Sequence, residues 1–185
     1  MAIKATVYKA NVQVTDMDRN HYAGYDLTVA LHPSETEERL MVRLLAFALL
    51  VDQKEGHEQL GFTKGLSTDD EPDLWQKSLA DEILLWVDLG QPDEKRLRKA
   101  CGRAKQVTIV NYNDKSDIWW EQNKSKVTRF SNLSILQFPE NQVIALAKLS
   151  QRSMQLNMTI QDGEVWVSGE LGEVSITPNY RLKSN

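Results

Sequence analysis

The sequence predicts an α/β fold, a mixed central β-sheet flanked by helices with a C-terminal β-hairpin. Three observations lead there. The chain opens with a run from Ile3 to Val14 whose apolar residues recur every second position, the period of a half-buried strand. Through the middle, helix-period stretches alternate with β-rich ones, as in β-α-β crossovers. From Met154 onward the chain reads wholly as strands, with Asp162-Gly163 as a hairpin turn. A length of 185 residues with 41% hydrophobic content suits one domain spanning 1–185 around one core.

The elements follow in order. After the first strand, a segment rich in Asp, Asn and Gly leads into Tyr25 to Leu31, a second strand that pairs with the first. Ser34 with Glu37 has the spacing of a capping box, and Leu40, Leu44, Phe47, Ala48 and Val51 recur at helical intervals behind it. Residues 52–71 are polar and punctuated by glycine, so they read as a loop or short strand. Pro72 to Lys77 and Ile83 to Leu89 are two further strands joined through Ala80-Asp81-Glu82, the second of them apolar enough to be central. Pro92 suits the first turn of a helix running to about Ala104, with Leu97, Ala100, Cys101 and Ala104 inward. Gln106 to Tyr112 then completes a β-α-β unit with parallel strands. A helix from Asp117 to about Asn123, a strand from Leu133 to Phe138, and a helix begun by Pro139 with Val143, Ile144, Ala147 and Leu149 continue the pattern. Met154 to Ile160 pairs with Val165 to Val167, and Glu173 to Thr177 is a last strand.

Composition excludes several functions. No stretch approaches the apolar length of a membrane span, and the first residues lack the apolar run of a signal peptide, which predicts a cytoplasmic protein. A single cysteine, Cys101, builds neither an internal disulfide nor a cysteine-rich zinc site, and its place on an apolar stripe predicts an inert, packed thiol. Three scattered histidines lack zinc spacing. A net charge of −4 argues against general attraction to nucleic acid or anionic membranes. Binding to nucleic acid would have to be local, and Lys95, Arg96, Arg98, Lys99, Arg103 and Lys105 form the one dense basic segment. Acidic residues early in that helix and basic ones later also match the helix dipole of an ordinary solvated helix. Trp119 and Trp120 could stack bases, although core packing is the commoner use of such residues.

Asp73 and Asp88 are the leading chemical candidates. They sit near the ends of adjacent strands, and antiparallel pairing through a short connection brings them together. Paired carboxylates suit a hard divalent cation such as Mg²⁺ or Mn²⁺, which polarises a phosphate and lowers the pKa of an attacking water. Solvated acidic strand ends are the plainer alternative.

The run from Gly65 to Trp75 together with Trp86 to Arg96 resembles the YaeQ family of bacterial proteins. His32 to Thr36, Trp119-Trp120 and Thr159 to Gly163 extend that resemblance over nearly the whole chain. The family is similar in fold to PD-(D/E)XK nucleases, and its biochemical role is not established. The resemblance implies a variant of that fold, with Pro72-Asp73 as the first half of the nuclease motif and Asp88 as the acidic member of the second, both metal ligands. The motif's lysine is absent, because its position is Gly90. Gln91, or a lysine displaced onto the next helix such as Lys99, would orient water or stabilise the transition state. Lys95 and Arg103 would position phosphate, and Glu38 on the first helix could add a carboxylate to the metal. The function expected is a metal-dependent nuclease. The alternative is an inactive nuclease-like fold that binds a protein partner or a nucleic-acid complex, which Gly90 and the acidic net charge favour.

Overall fold

The computed structural model of the chain describes residues 4–64 and 69–185. Met1 to Ile3, at the start of the first expected strand, and Gly65 to Thr68, in the run that carries the family resemblance, lie outside the described residues. The chain folds as two compact units, residues 1–49 with 139–178 and residues 50–138 with 179–185. None of the helices is long and apolar enough to cross a membrane, among the described residues.

The first unit is built on β1 (Thr6–Asp16) and β2 (His21–Leu31), an antiparallel hairpin as the sequence predicts. β8 (Ser153–Gln161), β9 (Glu164–Gly169) and β10 (Gly172–Ile176) join it in a five-stranded sheet of order β10-β9-β8-β1-β2. β1 pairs β8 in parallel, Lys9 with Ser153 through Asp16 with Ile160. The strand period shows directly in burial, with Tyr8, Ala10, Val12 and Val14 inside and Lys9 and Gln13 outside. The β8–β9 turn is the expected Asp162-Gly163 pair, both at positive φ (54° and 78°), as a type I′ turn demands. Asp18 of the β1–β2 turn accepts the backbone N–H groups of both residues at 2.7 and 2.9 Å.

Helix α1 (Glu37–Leu50) is buried continuously from Leu40 to Ala48, so its apolar character wraps all round. Phe47 meets Tyr25 of β2 edge to face, with ring centroids 5.1 Å apart. Buried Arg43 donates to the Ala30 carbonyl at 2.8 Å and to Glu35 at 3.3 Å. The N-cap is Thr36, whose hydroxyl accepts the Arg39 N–H at 3.2 Å, and not Ser34. Ser34 instead bonds the His32 ring at 2.7 Å, while Glu35 reaches back to the His32 N–H at 2.7 Å. Helix α4 (Glu140–Ala147) buries Val143, Leu146 and Ala147, but Ile144 is exposed, one helical step off that stripe.

The second unit holds a six-stranded sheet of order β11-β7-β6-β5-β4-β3, so the described strands form two sheets rather than one central sheet. Its strands are β3 (Gly61–Phe62), β4 (Leu74–Lys77), β5 (Ile83–Leu89), β6 (Gln106–Asn111), β7 (Leu133–Gln137) and β11 (Asn179–Leu182), the last unforeseen in the sequence. β5, β6 and β7 run parallel. Helices α2 (Glu94–Arg103) and α3 (Ser116–Val127) cross between them. Each crossover steps the same way across the sheet, which sets both helices on one face. Their shared core contains Trp86, Leu97, Ala100, Val107, Ile109, Trp119, Val127, Leu133 and Ile135. Trp119 is therefore a packing residue, and its Nε1 donates to the Pro92 carbonyl at 2.9 Å.

α2 begins at Glu94, after the expected Pro92, because Pro92 precedes the cap and Asp93 forms it. The Asp93 carboxylate accepts the Arg96 N–H at 2.8 Å. Gly90 makes the turn from β5 into this helix at φ 97°, where a side chain is strained. Its N–H donates to Val110 O at 2.8 Å and its carbonyl accepts Asn111 Nδ2 at 2.6 Å, so the turn is pinned from both sides.

Two stability predictions follow from this unit. Leu97→Ala removes a fully buried side chain between α2 and the sheet, and chemical denaturation should show a loss of about 2–5 kcal/mol. Gly90→Ala forces a Cβ into the left-handed turn and should cost about 1–2 kcal/mol in the same assay. An unchanged midpoint for either variant contradicts the packing or the strain argument respectively.

Candidate functional site

The β4–β5 register ends with Leu74 opposite Val87, so Asp73 lies just before β4 and Asp88 just past that pair on β5. Alternation turns the Asp88 carboxylate to the face that carries α2, since Trp86, two residues before it, belongs to the core beneath that helix. Asp73 is 5% exposed and Asp88 3%. Asp73 Oδ2 accepts the Leu89 N–H at 2.8 Å, and its own N–H donates to Val87 O at 2.9 Å.

Asp88 is gripped by Arg96. The guanidinium donates from Nε to Oδ2 at 2.8 Å and from Nη2 to Oδ1 at 2.9 Å, the bidentate fork that matches a carboxylate. Hydrogen bonding to Asp88 holds the guanidinium pKa above its ordinary value, and the charges of Asp73 and Asp69 add to it. Asp88 is therefore the expected ligand that binds Arg96 directly. Among the described residues no group of three His, Cys, Asp or Glu side chains is poised to hold a metal. Two carboxylates still fit Mg²⁺, which is commonly held by one or two carboxylates and completed by water and substrate phosphate.

The basic face of α2 is also engaged. Arg96 donates to the carbonyls of Asp69 (3.3 Å) and Glu71 (2.9 Å). Lys99 Nζ lies 3.0 Å from the Asp69 carbonyl and 2.5 Å from the Asp70 carboxylate. Arg103 donates to the Asp70 carbonyl at 2.8 Å. Beneath them the Arg96 and Arg103 guanidinium carbons stand 5.7 and 5.3 Å from the Trp86 ring centroid, within cation–π range. Lys95 is exposed and lines a hollow with Asp69, Asp93, Arg96 and Lys99.

Gln91 makes contacts outside this cluster. Gln91 forms a reciprocal amide pair with Asn113 in the β6–α3 loop, Nε2 to Oδ1 at 2.8 Å and Nδ2 to Oε1 at 3.4 Å. Glu38 belongs to α1 in the first unit, whereas this site is described within the second. Cys101 is half-buried, and burial pushes its thiol up to about 11, so it is little ionised and inert at neutral pH.

Sequence reasoning missed the role of Arg96. The available signal was its helical spacing, since Arg96, Lys99 and Arg103 fall three and then four residues apart on one face. Asn113 carried no comparable signal, because its pairing with Gln91 depends on the parallel register of β5 and β6.

A protein-family model described as YaeQ protein matches residues 1–178. The chain is 45% identical over 177 residues to YaeQ proteins of Escherichia coli (strain K12) and Shigella flexneri, covering 95% of this chain and 95% of each relative. It also resembles the crystal structure of YaeQ from Xanthomonas axonopodis pv. citri, with TM-score 0.90 and 45% identity over 98% of this chain and 99% of that one. For YaeQ from Pseudomonas syringae the TM-score is 0.88 at 34% identity, covering 97% of both chains. A family match of this extent, with close relatives and a shared mixed α/β architecture, shows that the chain belongs to the YaeQ family.

Proposed function

We propose that this YaeQ-family chain is a metal-dependent phosphodiesterase of the PD-(D/E)XK nuclease type, acting on nucleic acid in the cytoplasm. The observation that carries this reading is the juxtaposition of Asp73 and Asp88. Two nearly buried carboxylates meet at the end of β5, Asp88 against Arg96 of α2 and Asp73 against the Leu89 N–H, beside a helix whose outward side is basic. Placing two acidic groups together away from water costs free energy, and a cation site gives such a pair a purpose beyond packing. Mg²⁺ or Mn²⁺ held there would supply polarisation of a phosphate and a more acidic bound water. Lys95, Lys99 and Arg103 lie on the helix next to the carboxylates and supply positive charge for phosphate, and Gln91 is the remaining polar group on the β5–α2 turn.

A second reading is favoured by one specific observation. Both oxygens of Asp88 are already taken by Arg96, and the motif's lysine position is a glycine whose positive φ disfavours any side chain. A nuclease-like fold that binds a protein or nucleic-acid complex without cleaving it suits that arrangement.

Calorimetric titration of Mn²⁺ separates the two. Asp73→Asn is the informative variant, because it leaves the Asp88–Arg96 pair intact. The cation reading predicts binding by the wild type and a loss of about tenfold or more in affinity in Asp73→Asn and Asp73→Asn/Asp88→Asn, together with lost Mn²⁺-dependent cleavage of a labelled oligonucleotide. Equal Mn²⁺ affinity in folded wild type and Asp73→Asn contradicts it, as does the absence of binding both with and without oligonucleotide.

A further inference from the structure

The segment Asp69–Glu71 lies along the basic face of α2 in an unusual way. Three consecutive residues present four oxygens to Arg96, Lys99 and Arg103, and three of those oxygens are backbone carbonyls. The spacing of the cations matches one face of a helix, and the oxygens follow one another along the chain as the oxygens of linked phosphates do. A carbonyl brings a partial charge where a phosphate brings a full one. Among the described residues Arg103 donates only to the Asp70 carbonyl, one such partial charge.

We infer that Arg96, Lys99 and Arg103 form a site for linked phosphates, and that Asp69–Glu71 occupies it as an internal competitor which the ligand displaces. The inference rests on the reading of α2 as the phosphate-facing helix in the proposed function, and is independent of the cation site. Asp70 is the ionic part of this internal ligand. Its hydrogen bond to Lys99 holds its carboxyl below the ordinary value, so the competitor keeps its charge at neutral pH and loses it only as pH falls through that lowered pKa. Near neutral pH the site is closed by the chain itself. The Trp86 ring beneath the two guanidinium groups keeps Arg96 and Arg103 aligned when the segment leaves.

The test uses the full chain at low ionic strength with EDTA present, so that no divalent cation contributes, and titrates inorganic tripolyphosphate and, separately, oligothymidylate. The site predicts binding of tripolyphosphate that weakens with salt and is lost in Lys99→Ala/Arg103→Ala. Asp70→Asn should tighten binding about threefold to fivefold, the scale of one exposed ion pair. In a Lys99→Ala background that gain should vanish, because Asp70 then has no cation to occupy. Binding of both probes identifies the ligand as a phosphodiester backbone, and binding of tripolyphosphate alone identifies it as free polyphosphate. An equal gain from Asp70→Asn in the Lys99→Ala background reduces the effect to long-range charge and overturns the internal competitor. No binding of either probe to wild type or Asp70→Asn overturns the site, whatever the outcome of Mn²⁺ titration.

Discussion

The bidentate pair between Asp88 and Arg96 ties together the three parts of the candidate site. Asp88 brings the end of β5, Arg96 brings α2, and the same guanidinium reaches the carbonyls of Asp69 and Glu71. Asp88's side chain is only 4% exposed and Arg96's is 27% exposed, so water screens the carboxylate poorly and the pair fixes position. Such pairs are not strong net stabilisers, since desolvation offsets much of the attraction, but breaking one leaves a stranded charge. Its main effect here is on geometry. Leu97, the next residue, inserts into the core while Arg96 holds the rim, so packing and ion pair set the same helix orientation.

α2 divides its residues between three tasks. Asp93 caps its start, Leu97 and Ala100 bury its inner face, and Arg96, Lys99 and Arg103 present charge to the segment above. Carboxylates under a basic helix connect the proposed cation chemistry with the inferred phosphate site. The same cations stabilise the closed arrangement seen here. The proposed function on phosphate would require an exchange of ligands, in which neutral carbonyls give way to charged oxygens.

Much of this was legible in the sequence, for physical reasons. Period-two burial located β1, β2 and β8, and apolar continuity located β5 within the interior of its sheet. β4 and β5 could be paired because a short connection between two strands enforces antiparallel neighbours. Partners distant in sequence were not legible. The parallel pairing of β1 with β8, which separates the strands into two sheets, joins residues 9–16 to 153–160, and periodicity does not encode such a choice. β11 was missed because Asn179–Leu182 is short and polar, and it forms by pairing β7. Gly90 reads as a missing lysine in sequence, whereas the structure shows a turn pinned by Val110 and Asn111 that favours glycine for its own sake. Arg96 looked like one of several solvated cations, because only the fold places Asp88 under it.

The central claim is that Asp88 and Arg96 act as one unit, and a double-mutant cycle on folding stability tests it most directly. Asp88→Asn and Arg96→Gln, measured singly and together by denaturant unfolding, should each cost about 2–4 kcal/mol. The double variant should cost about as much as either alone, because the second substitution removes a partner already lost. Costs that simply add would show that the two side chains act independently and would contradict the account.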